Sequence, residues 1–198
     1  MKLKIKRFGA YLIDSLVVAI IVSLLTMIII SPNNNKQYLD NKNKADNSYL
    51  ALAKGEINVK DYLKDIKLPT YNIAKFGATA TIIDIICLVG YFGIYQYINQ
   101  GQTLGKKLFK IIIRNKQQKE ITINQMIIRS IINNGVYVLM INLLLVLIIP
   151  VSKYYIYNQA VLYFGMLISY ISFGLIIFTK KGRGLHDLVA QTIVKDKE

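Results

Sequence analysis

The chain has 198 residues, of which 54% are hydrophobic and 18% charged, with a formal net charge of +14. Soluble domains usually carry about 45–50% apolar and about 25% charged residues, and the apolar excess here lies in long uninterrupted runs, which mark lipid-facing helices. The basic balance does not point to nucleic acid, because Lys and Arg lie between apolar runs without a base-stacking or major-groove motif, and the single Cys87 excludes a disulfide framework and a Cys-based metal site.

Four spans are expected, at about residues 8–30, 76–98, 126–149 and 155–178. Each exceeds the roughly 20 residues that cross about 30 Å of hydrocarbon. The first follows the basic leader Lys2, Lys4, Lys6, Arg7, as in a signal peptide. Its apolar stretch is too long for one, and it ends in Ser31-Pro32-Asn33 without a small-residue cleavage site, so a retained helix is expected. The fold class is all-α, a polytopic membrane protein forming a single membrane domain.

Orientation follows the Lys and Arg of the connections. The leader carries four, the segment 99–125 six, and the tail 179–198 five. The long 31–75 loop has eight, diluted over its length and mixed with five acids. The dense basic clusters next to helix ends place both termini and the 99–125 loop in the cytoplasm and the 31–75 loop outside. The first half of that outer loop reads as polar and mobile. From Asn58 onward, an Asn cap, an early acid and i, i+4 apolar spacing predict a short amphipathic helix.

Charge inside the spans is the main functional signal. Asp14 lies two helical turns beyond Arg7, roughly 10 Å along the same face, and is too deep and too short to snorkel. Asp84 occupies the middle of the second span, and Arg129 opens the third as a cationic partner for either acid. These four residues read either as an ion-binding site or as helix-pairing contacts. Asn133, Asn134 and Asn142 read as interhelical hydrogen-bonding groups.

The cytoplasmic connection begins Asn99-Gln-Gly-Gln-Thr-Leu-Gly-Lys-Lys. Gly101 and Gly105 beside lysines do not make a phosphate loop, because the spacing is one residue short and Lys107 stands where Ser or Thr is required. The segment reads as a Gly-initiated turn and an amphipathic stretch, with Lys106, Lys107 and Lys110 among anionic lipid headgroups. Ile111–Ile113 and Glu120–Ile123 are spaced to pair as a short hairpin. In the tail, His186 adjoins Asp187; one His makes no zinc site, and the pair reads as a turn cap that docks the tail. No nucleophile, metal set or cofactor motif emerges, so neither an enzyme nor a cofactor is expected.

Together these segments resemble the RDD family of small bacterial membrane proteins, named for one arginine and two aspartates. The Arg and Asp of the family's first helix match Arg7 and Asp14. Its Gly-x-Thr-x-Gly-Lys segment matches Gly101, Thr103, Gly105 and Lys106, its helix-opening Arg matches Arg129, and its Leu-His-Asp ending matches Leu185, His186 and Asp187. The long first loop and Asp84 depart from the family pattern. The resemblance implies a bacterial plasma-membrane protein, and for some members ion movement, including sodium–proton exchange. The leading expectation is therefore a small ion or solute transporter, oligomeric because four helices enclose little volume. The rival is a non-catalytic scaffold whose charges fix helix packing.

Overall fold

The computed structural model describes residues 2–197. The chain is mostly helical. Three helical stretches are long and apolar enough to cross a membrane, namely Leu3–Ile29, Ala78–Ile98 and Val151–Phe178. A fourth span results if the bent pair Ile123–Asn133 and Val136–Ile148 is counted as one. Multi-pass membrane insertion follows from these lengths and from the exposure of large apolar side chains along them, such as Leu12, Leu16 and Ile20.

The elements in chain order are α1 (Leu3–Ile29), α2 (Pro32–Ala53), α3 (Val59–Asp65), α4 (Lys67–Phe76), α5 (Ala78–Val89), a π-helical stretch Gly90–Tyr95, α6 (Gln96–Ile98) and α7 (Leu104–Leu108). There follow β1 (Ile111–Asn115), α8 (Ile123–Asn133), α9 (Val136–Ile148), α10 (Val151–Phe178), α11 (Leu185–Val189) and β2 (Thr192–Asp196). They divide into two compact units, one of Met1–Leu25, Asp84–Tyr137 and Gly165–Glu198, the other of Thr26–Ile83 and Val138–Phe164.

Three expectations are corrected. The Asn/Lys-rich stretch after Ser31 is the 22-residue helix α2, not a mobile loop. Ser31 is its N-cap, accepting from the Asn34 N–H at 3.3 Å, and Pro32 occupies its first turn, where a missing N–H costs nothing. Within the second unit α2 is held on α4, where Asn72 Nδ2 donates to the Oδ1 of buried Asn41 at 3.1 Å. α3 does start at its Asn58 cap.

The third span is not straight. α8 ends at Asn133 and α9 begins at Val136, at 70° to it. Gly135 lies between them at φ +65°, the left-handed conformation that ends helices at glycine.

The fold also contains a two-stranded sheet, so all-α overstates it. β1 does not fold back on Glu120–Ile123. It pairs antiparallel with β2 of the tail, Ile111 opposite Asp196 and Asn115 opposite Thr192. The tail strand prevails because this pairing buries Ile111, Ile113 and Val194 with Ala10, Ile121 and Met126 in one apolar core. That core lies in the first unit.

Candidate functional site

In the first unit, α1 turns Ala10, Asp14 and Val18 to its buried face, the i, i+4 spacing of one stripe. Asp14 is completely buried and has four partners. Its Oδ1 accepts from Tyr91 Oη at 2.8 Å and from the Gly105 N–H at 2.7 Å. Its Oδ2 accepts from Thr103 Oγ1 and lies 3.5 Å from Lys106 Nζ. Tyr91 is itself held by the Leu104 N–H, 3.1 Å from its Oη.

The segment Gly101–Lys106 is shaped to reach this carboxylate. Gly101 has φ +94°, and a Cβ there would strike the Ile113 carbonyl. Thr103 caps α7. Gly105 lies against the backbone of α1, where a Cβ would overlap the Ala10 carbonyl oxygen. Glycine at this position therefore permits the approach that lets its N–H reach Asp14. Lys106 is buried, its Nζ 3.2 Å from Thr103 Oγ1 and over the Phe92 ring at 5.7 Å. This corrects its expected place among lipid headgroups. Burial pulls the Lys106 ammonium down to about 8, against the opposing pull of Asp14.

A second buried carboxylate, Asp187, gathers the other charges. Arg7 Nη2 donates to its Oδ2 at 2.7 Å, and Arg129 Nη1 pairs with its Oδ1. The Gly184 N–H donates to Oδ2 at 3.2 Å and Thr192 Oγ1 to Oδ1 at 3.1 Å. Arg7 Nη1 also donates to the Gly182 carbonyl, and Arg183 spans the turn, donating to the carbonyls of Thr192 and Asp187. Asp187 thus caps α11 through Gly184 and binds α1 and α8 to the tail.

His186 lies beside this group, almost fully buried. Its Nδ1 is 3.2 Å from Ser172 Oγ and its Nε2 is 3.3 Å from Asp187 Oδ2, without hydrogen-bond geometry at Nε2. Burial first, and then the charges of Arg129, Arg7 and Lys106, hold the imidazole well below its ordinary range. It is neutral near pH 7.

The sequence-predicted residues therefore divide differently from their expected pairing. Arg7 and Asp14 share a helix but not a partner, and Arg129 serves Asp187 rather than Asp14 or Asp84. Asp84 is half-buried and joins neither group. Tyr91, Thr192, Ser172 and Arg183 were not singled out from sequence. Tyr91 is one aromatic among many, and Thr192 lies five residues beyond Asp187 in the tail. Among the described residues there is no group of three or more His, Cys, Asp or Glu side chains that could hold a metal ion.

Arg7, Lys106, Arg129 and His186 line a cavity of about 450 Å³. Ser169, Ser172 and Asn133 add polar groups to its wall, and Phe8, Ile132, Ile168 and Phe173 add apolar ones. The volume falls within the roughly 300–1,000 Å³ of small-molecule sites. Both aspartates act behind this wall: they hold the cations that face the space.

No curated protein and no solved structure matches the chain. The model of the RDD family matches residues 4–191, a stretch that takes in both aspartates, all three of their cations and every residue lining the cavity except Val194. The chain belongs to the RDD family.

Proposed function

We propose that the chain is a proton-linked carrier of a small ion or solute in a bacterial plasma membrane, with both termini in the cytoplasm. The observation that carries this reading is the cavity of about 450 Å³ lined by Lys106, whose ammonium stands 3.5 Å from the intramembrane Asp14. A lysine that releases its proton at about pH 8 exchanges it at near-neutral pH without passing through an extreme state. Asp14, held by four protein partners, stands as the counter-charge of Lys106, and the exchangeable proton is assigned to Lys106. This modifies the expectation that Asp14 itself takes the proton or cation.

Topology enters through charge. The basic 99–125 connection and the tail are joined as β1 and β2, and Arg7 is tied to the tail. These contacts support placing both ends on one side, and the positive-inside bias makes that side the cytoplasm. Lys107 and Lys110 remain candidates for anionic headgroups, and a homo-oligomer remains part of the proposal. No enzymatic role is assigned.

The rival reading, a non-transporting scaffold, draws on one observation: all four oxygens of Asp14 and Asp187 are already engaged by protein donors or cations. Such a network suits fixed packing. A flux panel separates the two. Purified protein in liposomes, given a pH gradient, is expected to dissipate it only when a transported solute is present. Protein that inserts and folds yet moves no member of a broad panel of ions and organic solutes would favour the scaffold.

A further inference from the structure

We propose that the solute taken by the cavity is an anion with an apolar tail, its charged end against Arg129 and Arg7 and its tail at the open side. This deepens the carrier reading and rests on the same cavity.

Charge comes first. The buried acids at this site are Asp14 and Asp187, and they face three cations, Arg7, Lys106 and Arg129. One positive charge is left uncompensated, and burying such a charge without a partner is costly. The cavity wall includes these three cations and Lys4, and no Asp or Glu contributes to it. A bare cation entering this space is repelled. An anion restores neutrality.

The polar groups of the wall point the same way. Arg129 Nη1 pairs with Asp187 Oδ1 and donates to Thr192 Oγ1, and the same guanidinium lines the cavity. Buried His186 Nε2 has no hydrogen-bond partner. Buried polar atoms are normally satisfied, and a guanidinium matches the oxygens of a phosphate or carboxylate.

The open side supplies the tail's environment. Among the lining residues, Phe8 is 59%, Phe173 56% and Tyr170 72% exposed. All three stand on helices long and apolar enough to cross a membrane, so this side of the cavity faces the lipid in the proposed arrangement. The buried part of the lining therefore holds the cations Lys106 and Arg129, and its exposed part is aromatic apart from Lys4 and Ser169, which selects an amphiphile over a free inorganic ion.

The test is binding, with no flux in it. The full chain in phosphatidylcholine nanodiscs is titrated with octyl phosphate, octyltrimethylammonium and inorganic phosphate, read by calorimetry. Octyl phosphate is expected to bind saturably, at least about tenfold more tightly than either control (roughly 1.4 kcal/mol per tenfold). Ile168→Trp, which fills the cavity without touching an ion pair, should weaken it by a similar factor. Arg129→Gln should weaken it too, but this variant also disturbs Asp187, so the Ile168 variant decides. Repeating the titration in phosphatidylglycerol discs identifies the source: a weakened apparent affinity means that bilayer lipid competes for the site, and an unchanged one means a free amphiphile, both within the proposal. Equal binding of octyl phosphate and octyltrimethylammonium, inorganic phosphate matching octyl phosphate, or wild-type affinity in Ile168→Trp would overturn it. Binding without any flux would remove the carrier reading and leave this site standing.

Discussion

Arg7 Nη2 lies 2.7 Å from Asp187 Oδ2 across a sequence separation of 180 residues. The contact closes the first unit by joining the start of α1 to the tail, and Arg129 meets the same carboxylate from α8. Because Asp187 is completely buried, its value lies less in net attraction than in the penalty of leaving either partner alone.

Asp187→Asn should therefore destabilise the protein by about 3–5 kcal/mol, the usual cost of breaking a buried pair, since it leaves two guanidiniums without a counter-charge. Arg7→Met should cost less, because Arg129 still neutralises Asp187. Reversible denaturant unfolding in mixed micelles, followed by tyrosine fluorescence, checks the order of the two.

Glycine positions give a sharper contrast. Gly105→Ala places a methyl group on the Ala10 carbonyl oxygen and displaces the N–H that Asp14 accepts from. A loss of about 1–3 kcal/mol is expected from the overpacking alone. Gly90→Ala, where a Cβ would meet nothing within 4 Å, should be neutral or slightly stabilising. Equal effects at the two sites, measured by the same unfolding assay, would contradict the close approach of α7 to α1.

The pH dependence of stability has a defined sign. Lys106 titrates at about 8 in the folded chain and at about 10.4 when unfolded. Between these values the unfolded chain binds more protons, so stability rises as pH increases from about 8 toward 10.4. Lys106→Met should flatten that rise while leaving the rest of the profile in place. Unfolding free energies at pH 7.5, 8.5 and 9.5 for both proteins are the check.

Topology is testable by labelling. In a Cys87→Ser background, Lys116→Cys should be protected from a membrane-impermeant maleimide in intact cells, and Lys44→Cys should react. Both native lysines are exposed. The reverse pattern would invert the assigned orientation.

How much of this was legible beforehand depended on distance along the chain. Local signals were readable: the Asn58 cap, the glycines around Thr103, and the apolar runs. Two local signals were present but misread. Ser31-Pro32 ends one helix and equally starts the next, and Asn133-Asn134, which read as hydrogen-bonding residues within a span, lie at the bend before Gly135. Charge pairing was not legible. Arg7 and Asp14 share a face, but nothing local shows that Asp14 faces Lys106 while Arg7 turns to a residue 180 positions away. Likewise Ile111–Ile113 is a short β-branched run, and only burial with Ala10 and Met126 selected the tail as its partner over the nearer Glu120–Ile123.

The central claim is that Asp14 and Lys106 form the proton-linked element of a carrier. The most direct measurement is pH-gradient dissipation in liposomes loaded with a pH-sensitive dye, with octyl phosphate as the driving solute, comparing wild type with Asp14→Asn at matched insertion. The account predicts solute-dependent dissipation by wild type and at least a tenfold loss, about 1.4 kcal/mol in the barrier, in the variant. Wild-type rates from a correctly inserted Asp14→Asn protein would contradict it.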